Sequence, residues 1–376
     1  MDRCSTFVSR LIVTALLFSI DAASNLQAQD PARDKLVVET LIRLKRFDVS
    51  DSEKLRGAVT RHMRTVKGTE KYNEYAEAFE ISSAIPELVR LGIERSDETI
   101  GVNAIRIAMK LGGQDRIAEY LAGDDTSKSL AAIFALGQIG NKESLDLLKA
   151  CYSSSPRNQQ VLIALAKAIA KNITGQRFLL EQLMADKLPM SVRFAVGNAL
   201  HSSADPEIQK TAKGLIKLPA TADSRPLPPI TGLIKMDGDP KNGGLLFAKK
   251  GTCAKCHKVG ELGKDVGPGL SEIGSKLSSE AMFTAILDPS AGVSHNYETF
   301  SVITIDGNIY TGLKISDTMA SITIRNAEGI DRTILQDDVD EVLKTGVSIM
   351  PADLQRLLTI QELVDVVAYL KTLKKK

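Results

Sequence analysis

Tryptophan is missing from this 376-residue chain, and aromatic residues of all kinds make up only 5% of it. Proteins that hold single-stranded nucleic acid stack its bases on aromatic rings, so this scarcity speaks against that mode of binding. An excess of either charge is missing too. The 48 Lys and Arg stand against 46 Asp and Glu, a formal net charge of +2. Such a chain has no basic field with which to attract a phosphate backbone. Cysteine is sparse. The four thiols, at Cys4, Cys151, Cys253 and Cys256, cannot form a disulfide framework unless Cys253 and Cys256 pair with each other. The apolar run Leu11 to Ile20 is well short of the ~20 residues that cross a bilayer, and no later segment is longer.

That short run has a different use. Arg3 and Arg10 supply a basic start, Leu11 to Ile20 an apolar middle, and Ala22, Ala23, Ser24 and Ala28 the small residues of a cleavage region. Residues 1–28 are therefore expected to be a secretory signal cut after Ser24 or Ala28, placing the mature chain outside the cytoplasm, in the periplasm. An uncleaved N-terminal anchor is the alternative. Cys4 would leave with the signal, and Cys151 reads as a small helix residue facing a core.

Residues 31–220 carry helical periodicity almost throughout. Three stretches share a theme: LAAIFALGQIGNKESLDLL (130–148), LIALAKAIAKNITGQRFLLEQL (162–183) and VRFAVGNALHSSADPEIQKTAKGL (192–215). In each an Ala-rich apolar helix is followed by a break at Gly, Asn or Asp and a second apolar helix. The steps from Leu136 to Ile169 to Leu200 are 33 and 31 residues. This period suits an α-solenoid of stacked helix pairs of the HEAT type, with Ala135, Ala164 and Ala195 letting helices approach. An irregular bundle is the alternative, and residues 33–100 are helical without a clear repeat. The Pro-rich stretch Thr221 to Pro229 opens a linker (221–238). Beyond it, residues 239–295 and 349–373 read as helix and loop. Residues 297–342 read as a β insert of four short antiparallel strands, with turns at Asp306-Gly307 and Glu328-Gly329. The acidic stretch Asp337 to Glu341 reads as a surface turn.

The chemistry sits at Cys253-Ala254-Lys255-Cys256-His257. Two thiols three positions apart can reach the two vinyl groups of one haem, and the adjacent His then lies under the iron. Export agrees with this, because c-type haem is attached outside the cytoplasm. A redox dithiol would call for a thioredoxin-like βαβ pattern, which is missing. A zinc site would call for more ligands than His62, His201 and His295 offer, since none of these forms a paired motif. The flanks fit haem as well. Asp239-Pro240 starts a helix and Gly243 and Gly244 leave room for another helix to cross; in cytochromes of this kind a Pro at the position of Pro268 offers its carbonyl to the imidazole's other nitrogen, which fixes the tautomer. Thr359 and Glu362 form a capping box that opens a last helix, whose Tyr369 would meet Phe247 or the glycines. For a sixth iron ligand the candidates are Met282, Met319, Met350 and His295. Met350 stands out because it lies in an irregular stretch held by Pro351, whereas Met282 sits in an apolar helix and His295 in a polar loop.

The series GGLLF, CAKCH, GPGLSEIGSK, ILDPSAGVSHNYETF, DDVDEV, SIMP and QELVDVVAYLKTL resembles the Pirellula/Verrucomicrobium-type haem-binding CxxCH domain. The resemblance covers about 239–373, and ILDPS and SIMP are its more specific parts. It implies a class I cytochrome c fold over 239–376 carrying the β insert, with haem c attached at Cys253 and Cys256, His257 as proximal ligand and Met350 as distal ligand. Gly269 stands where that family often has an acidic residue. A mostly α protein follows, with an N-terminal HEAT-like solenoid and a C-terminal cytochrome. Its expected function is electron transfer through His/Met-ligated iron to a protein partner, rather than catalysis. The weighed alternatives are a peroxidase-like enzyme with an open sixth position and a repeat scaffold that haem merely stabilises. No nucleic acid and no transmembrane segment in the mature chain are expected.

Overall fold

The computed structural model describes residues 30–154 and 158–375. The expected signal at 1–28 lies outside them. The described chain is mostly helical and carries one small antiparallel sheet. Among the described residues no helix is long and apolar enough to cross a membrane.

The chain divides into two compact units, one ending at Glu87 and the other beginning at Leu88. In the first, α1 (Pro31–Arg43), α2 (Glu53–Thr65) and α3 (Glu70–Ala78) enclose Val38, Val59, Met63, Tyr72 and Tyr75. Arg61 grips the buried Asp34 carboxylate through two hydrogen bonds of 2.7 and 2.8 Å, the bidentate geometry for which a guanidinium is suited. α4 (Ile85–Glu94) spans the division.

The second unit continues with α5 (Thr99–Lys110), α6 (Gln114–Ala122), α7 (Thr126–Ile139), α8 (Lys142–Ser153), α9 (Gln159–Ile169), α10 (Ile173–Met184), α11 (Met190–His201) and α12 (Pro206–Leu215). The breaks seen in the sequence are helix caps. The side chains of Asp125, Asn141, Asn158, Asn172 and Asp205 accept from the first-turn amides of α7, α8, α9, α10 and α12. Gly140, at φ +62°, ends α7 in the left-handed conformation. α5, α7, α9 and α11 pack in succession, and α8, α10 and α12 lie beside them. Leu136, Ile169 and Leu200 are fully buried, as their spacing predicts. The close approach of α7 to α9 comes at another position than expected. A Cβ on Gly137 would lie 2.9 Å from that of Ala168, whereas Ala164 and Ala195 are only half-buried.

After α13 (Ile230–Leu233), helices α14 (Pro240–Ala248), α15 (Ile273–Lys276), α16 (Ser279–Leu287) and α17 (Ile360–Thr372) surround one core. It holds Leu246, Phe247, Met282, Phe283, Leu363, Val364, Val367 and Leu370. Residues of the 221–238 segment also pack here: Leu227, Ile230 and Leu233 lie against this core, and the Ala222 N–H donates to the Leu358 carbonyl. α14 and α17 cross with their backbones almost touching, and a Cβ on Gly243 would come within 2.0 Å of the Asp365 carbonyl oxygen. Phe247 and Tyr369 meet at 5.6 Å between ring centroids, and Thr359 and Glu362 make the expected capping box.

The crossing is held by Asp365, only 3% exposed, which accepts from the Asp239 N–H, Asn242 and Gln361 at 2.9, 2.7 and 2.9 Å. Burial by itself would raise this carboxyl, but those three donors outweigh burial and hold it below the usual range. A depressed folded value means that the ionised group stabilises the fold above the unfolded carboxylate value of about 3.9, and that this contribution is lost as pH falls through the folded value. Asp365→Asn is therefore expected to lose roughly 1–3 kcal/mol at neutral pH. Its deficit against the parent should shrink in acid, which urea unfolding at the two pH values will measure.

The sheet has five strands, one more than predicted: β1 (Thr299–Thr304), β2 (Ile309–Asp317), β3 (Ser321–Arg325), β4 (Asp331–Leu335) and β5 (Val339–Lys344), in the order β4-β3-β2-β1-β5. Turns fall at Gly307 and Gly329 as expected, both with positive φ. The correction concerns Asp337 to Glu341. This stretch is not a surface turn. It begins as a short 3₁₀ turn and then enters β5, which pairs with β1. β5 is an almost wholly exposed edge strand. Acidic side chains at an edge discourage pairing with other chains and also mask the strand pattern in the sequence.

Candidate functional site

The site begins where α14 ends. Thr252 adopts the left-handed conformation (φ +58°) and reverses the chain. Cys253, Ala254 and Lys255 then form a 3₁₀ turn closed by the Cys256 N–H donating to the Cys253 carbonyl at 3.1 Å, and the His257 N–H donates to the same carbonyl at 2.9 Å. The following loop folds back onto this turn. The amides of Val266 and Gly267 both donate to the Cys256 carbonyl, at 3.0 and 2.7 Å. Gly267 lies flat against the imidazole, and a Cβ there would meet His257 Cε1 at 2.7 Å. The Pro268 carbonyl lies 2.8 Å from His257 Nδ1, the partnership expected from the sequence, and it leaves Nε2 available to a ligand. Gly269 has open space around its Cα, so the residue type there does not constrain the turn. Burial lowers the pKa of His257, which favours the neutral ring that can donate to a metal.

The thiols are half-buried. Burial pushes Cys253 up to about 11, and Cys256 is raised by burial and by the nearby Glu328. Reactive dithiols are shifted the other way, toward the thiolate. Cys256 Sγ lies 3.4 Å from the carbonyl of Ala327, in the turn between β3 and β4.

Both thiols and His257 open onto a cavity of about 690 Å³, within the ~300–1,000 Å³ typical of cofactor pockets. Met350, Pro351 and Leu354 line the same cavity. The Met350 loop is placed by the Ser348 N–H donating to Ser290 Oγ at 3.0 Å, which ties SIMP to the end of ILDPS. The other sixth-ligand candidates lie elsewhere. Met282 is packed in the helical core, Met319 is fully exposed beyond β2, and His295 is exposed. Cys151 is half-buried on α8, with its thiol 3.9 Å from the Leu121 carbonyl. Among the described residues no group of three His, Cys, Asp or Glu is arranged to hold a metal ion.

Sequence reasoning missed part of the lining. Leu130, Ile133 and Phe134 of α7, Ala164 and Ala168 of α9, Lys171 just beyond α9, and Ala327 and Glu328 of the β3–β4 turn also line the cavity. The turn is anchored to the helices. Asn326 donates to Gln138 Oε1 at 2.6 Å, Arg332 to the Gln138 carbonyl at 3.2 Å, and the Asp331 N–H to Thr99 Oγ1 at 3.0 Å. A signal for the helix wall is present in the sequence: SLAAIFALGQI is apolar almost all round, and QQVLIALAKAI has a broad apolar face opposite Gln159, Gln160 and Lys167, so packing on neighbouring helices leaves an apolar surface over. Compared with family models and with curated proteins, the chain matches none.

Proposed function

We propose that this chain is an exported c-type cytochrome that carries one covalent haem c and exchanges electrons with a partner protein. One observation carries the reading. Cys253, Cys256, His257 and Met350, separated by up to 97 positions, line a single largely apolar cavity. Two thiols, an imidazole and a thioether around an apolar slot are the donor set of a His/Met haem c.

The residues present fit that group. Gly267 gives the imidazole its space, and the Pro268 carbonyl fixes its orientation and tautomer. Cys253 and Cys256 would hold the vinyl edge, and His257 and Met350 would be the axial ligands. Haem so ligated supplies reversible one-electron chemistry, and Met ligation favours the reduced iron. The chain's own residues bind it, orient the imidazole and exclude water. We read the crossing of α14 and α17 over the CxxCH turn as a class I cytochrome c arrangement with the sheet as its insert, and the successive packing of α5 to α12 as HEAT-like.

The test is expression of the full chain in a periplasm that attaches haem c. About one haem per chain is expected to survive denaturation and to disappear in the Cys253→Ala/Cys256→Ala double variant. A chain that leaves that periplasm without covalent haem sinks the reading.

A further inference from the structure

If the cavity is a haem cleft, as proposed above, one of its walls has no explanation within the cytochrome part. We infer that helices α7 and α9 supply this wall, so that the helical region is a haem-covering element whose apolar side chains set the polarity around the iron.

The argument starts from residue types. α7 presents Leu130, Ile133 and Phe134 to the cavity, and α9 presents Ala164 and Ala168. These positions follow helical spacings of three and four, which place them on one face of each helix. The two helices are brought together at Gly137 and Ala168, where a larger residue would clash, so their cavity-facing sides form one surface. Ile133 is only 1% exposed, whereas Leu130, Phe134 and Ala164 are half-buried beside the cavity. A flat apolar occupant would complete their burial.

The wall is also fixed in place. Lys171 pairs with Glu328 at the tip of the β3–β4 turn, and its ammonium lies 5.7 Å from the Phe134 ring centroid. The same turn lays the Ala327 carbonyl against Cys256 and bonds to Gln138 at the end of α7. Helix wall and hairpin tip are thus connected through hydrogen bonds and one ion pair, and the hairpin tip lies against the turn that carries Cys256.

A dry apolar surface beside a haem disfavours the more highly charged ferric state and keeps external ligands out. Leu130→Gln preserves volume at a half-buried position and makes the wall polar. Ile133→Ala/Phe134→Ala opens it. Both are expected to shift the midpoint potential of the haem-loaded full chain downward and to speed imidazole binding to the oxidised iron. Leu148→Ala, in the buried core of α8 away from the cavity, should lower the melting temperature and leave potential and imidazole binding unchanged. Wall variants that keep their haem and match the parent in both readouts would overturn the inference. So would a Leu148→Ala chain that shifts them equally, since the effect would then be general loosening. A parent chain without covalent haem overturns the proposed function and this inference with it, so the two failures are distinguishable.

Discussion

On the proposed ligation, Met350→Ala keeps the covalent haem and loses the sixth ligand. Attachment depends on Cys253 and Cys256, which lie in a separate segment from Met350 and are held by their own turn. Axial ligands set haem potentials over a span of ~0.8 V, and removing a thioether that favours the reduced iron is expected to lower the potential by a sizeable part of that span. The vacant position should then bind cyanide or imidazole readily, and the weak far-red band of Met-ligated ferric haem should vanish. Met282→Ala provides the contrast. Met282 is buried in the helical core, so its loss should cost about 2–5 kcal/mol of stability and leave the far-red band in place. A Met350→Ala chain whose far-red band persists would show that Met350 is not the ligand.

Gly243→Ala is expected to unfold the region around the CxxCH turn. The added Cβ would stand 2.0 Å from the Asp365 carbonyl oxygen and 2.6 Å from its carbonyl carbon. These are backbone atoms of the crossing helix, so no side-chain rotation can relieve the contact. α14 must move away from α17, which breaks the two hydrogen bonds that Asp365 accepts from the Asp239 N–H and Asn242 and separates Phe247 from Tyr369. Ordinary overpacking costs about 1–3 kcal/mol. This site should exceed that range, because the lost buried hydrogen bonds add to the strain. The neighbouring Gly244→Ala is the control. Its Cβ would meet only the edge of the Tyr369 ring at 3.3 Å, a contact that a small ring movement accommodates. Thermal denaturation should separate the two variants widely, with Gly244→Ala near the parent. Equal melting temperatures would mean that the helices do not cross as tightly as described.

Much of this was legible in residue order. Asp239-Pro240, the capping box at Thr359 and Glu362, the glycine turns at 307 and 329 and the Pro268 partnership were all expected, and each is found. Caps, turns and a carbonyl eleven residues from its imidazole are short-range events, decided by local backbone chemistry. The fifth strand was missed because β5 is an exposed edge, where no buried face imposes alternation on the side chains. The helix–helix contact was placed at the wrong small residues for a similar reason. Periodicity tells which face of a helix is apolar, but the residue at the crossing point depends on the angle and offset between two helices.

By itself, then, the sequence determined the mostly helical class, the helix ends and the identity of the donor atoms at CxxCH. The sequence also singled out Met350, and the tertiary structure puts Met350, rather than Met282 or Met319, on the cavity lined by Cys253, Cys256 and His257. Only the tertiary structure decided what closes the cavity. The apolar excess of α7 and α9 is written in their residues, but the surface it faces was not. That depends on a β turn and the CxxCH turn, both lying more than eighty residues away in the chain, where packing, rather than local propensity, selects the neighbours.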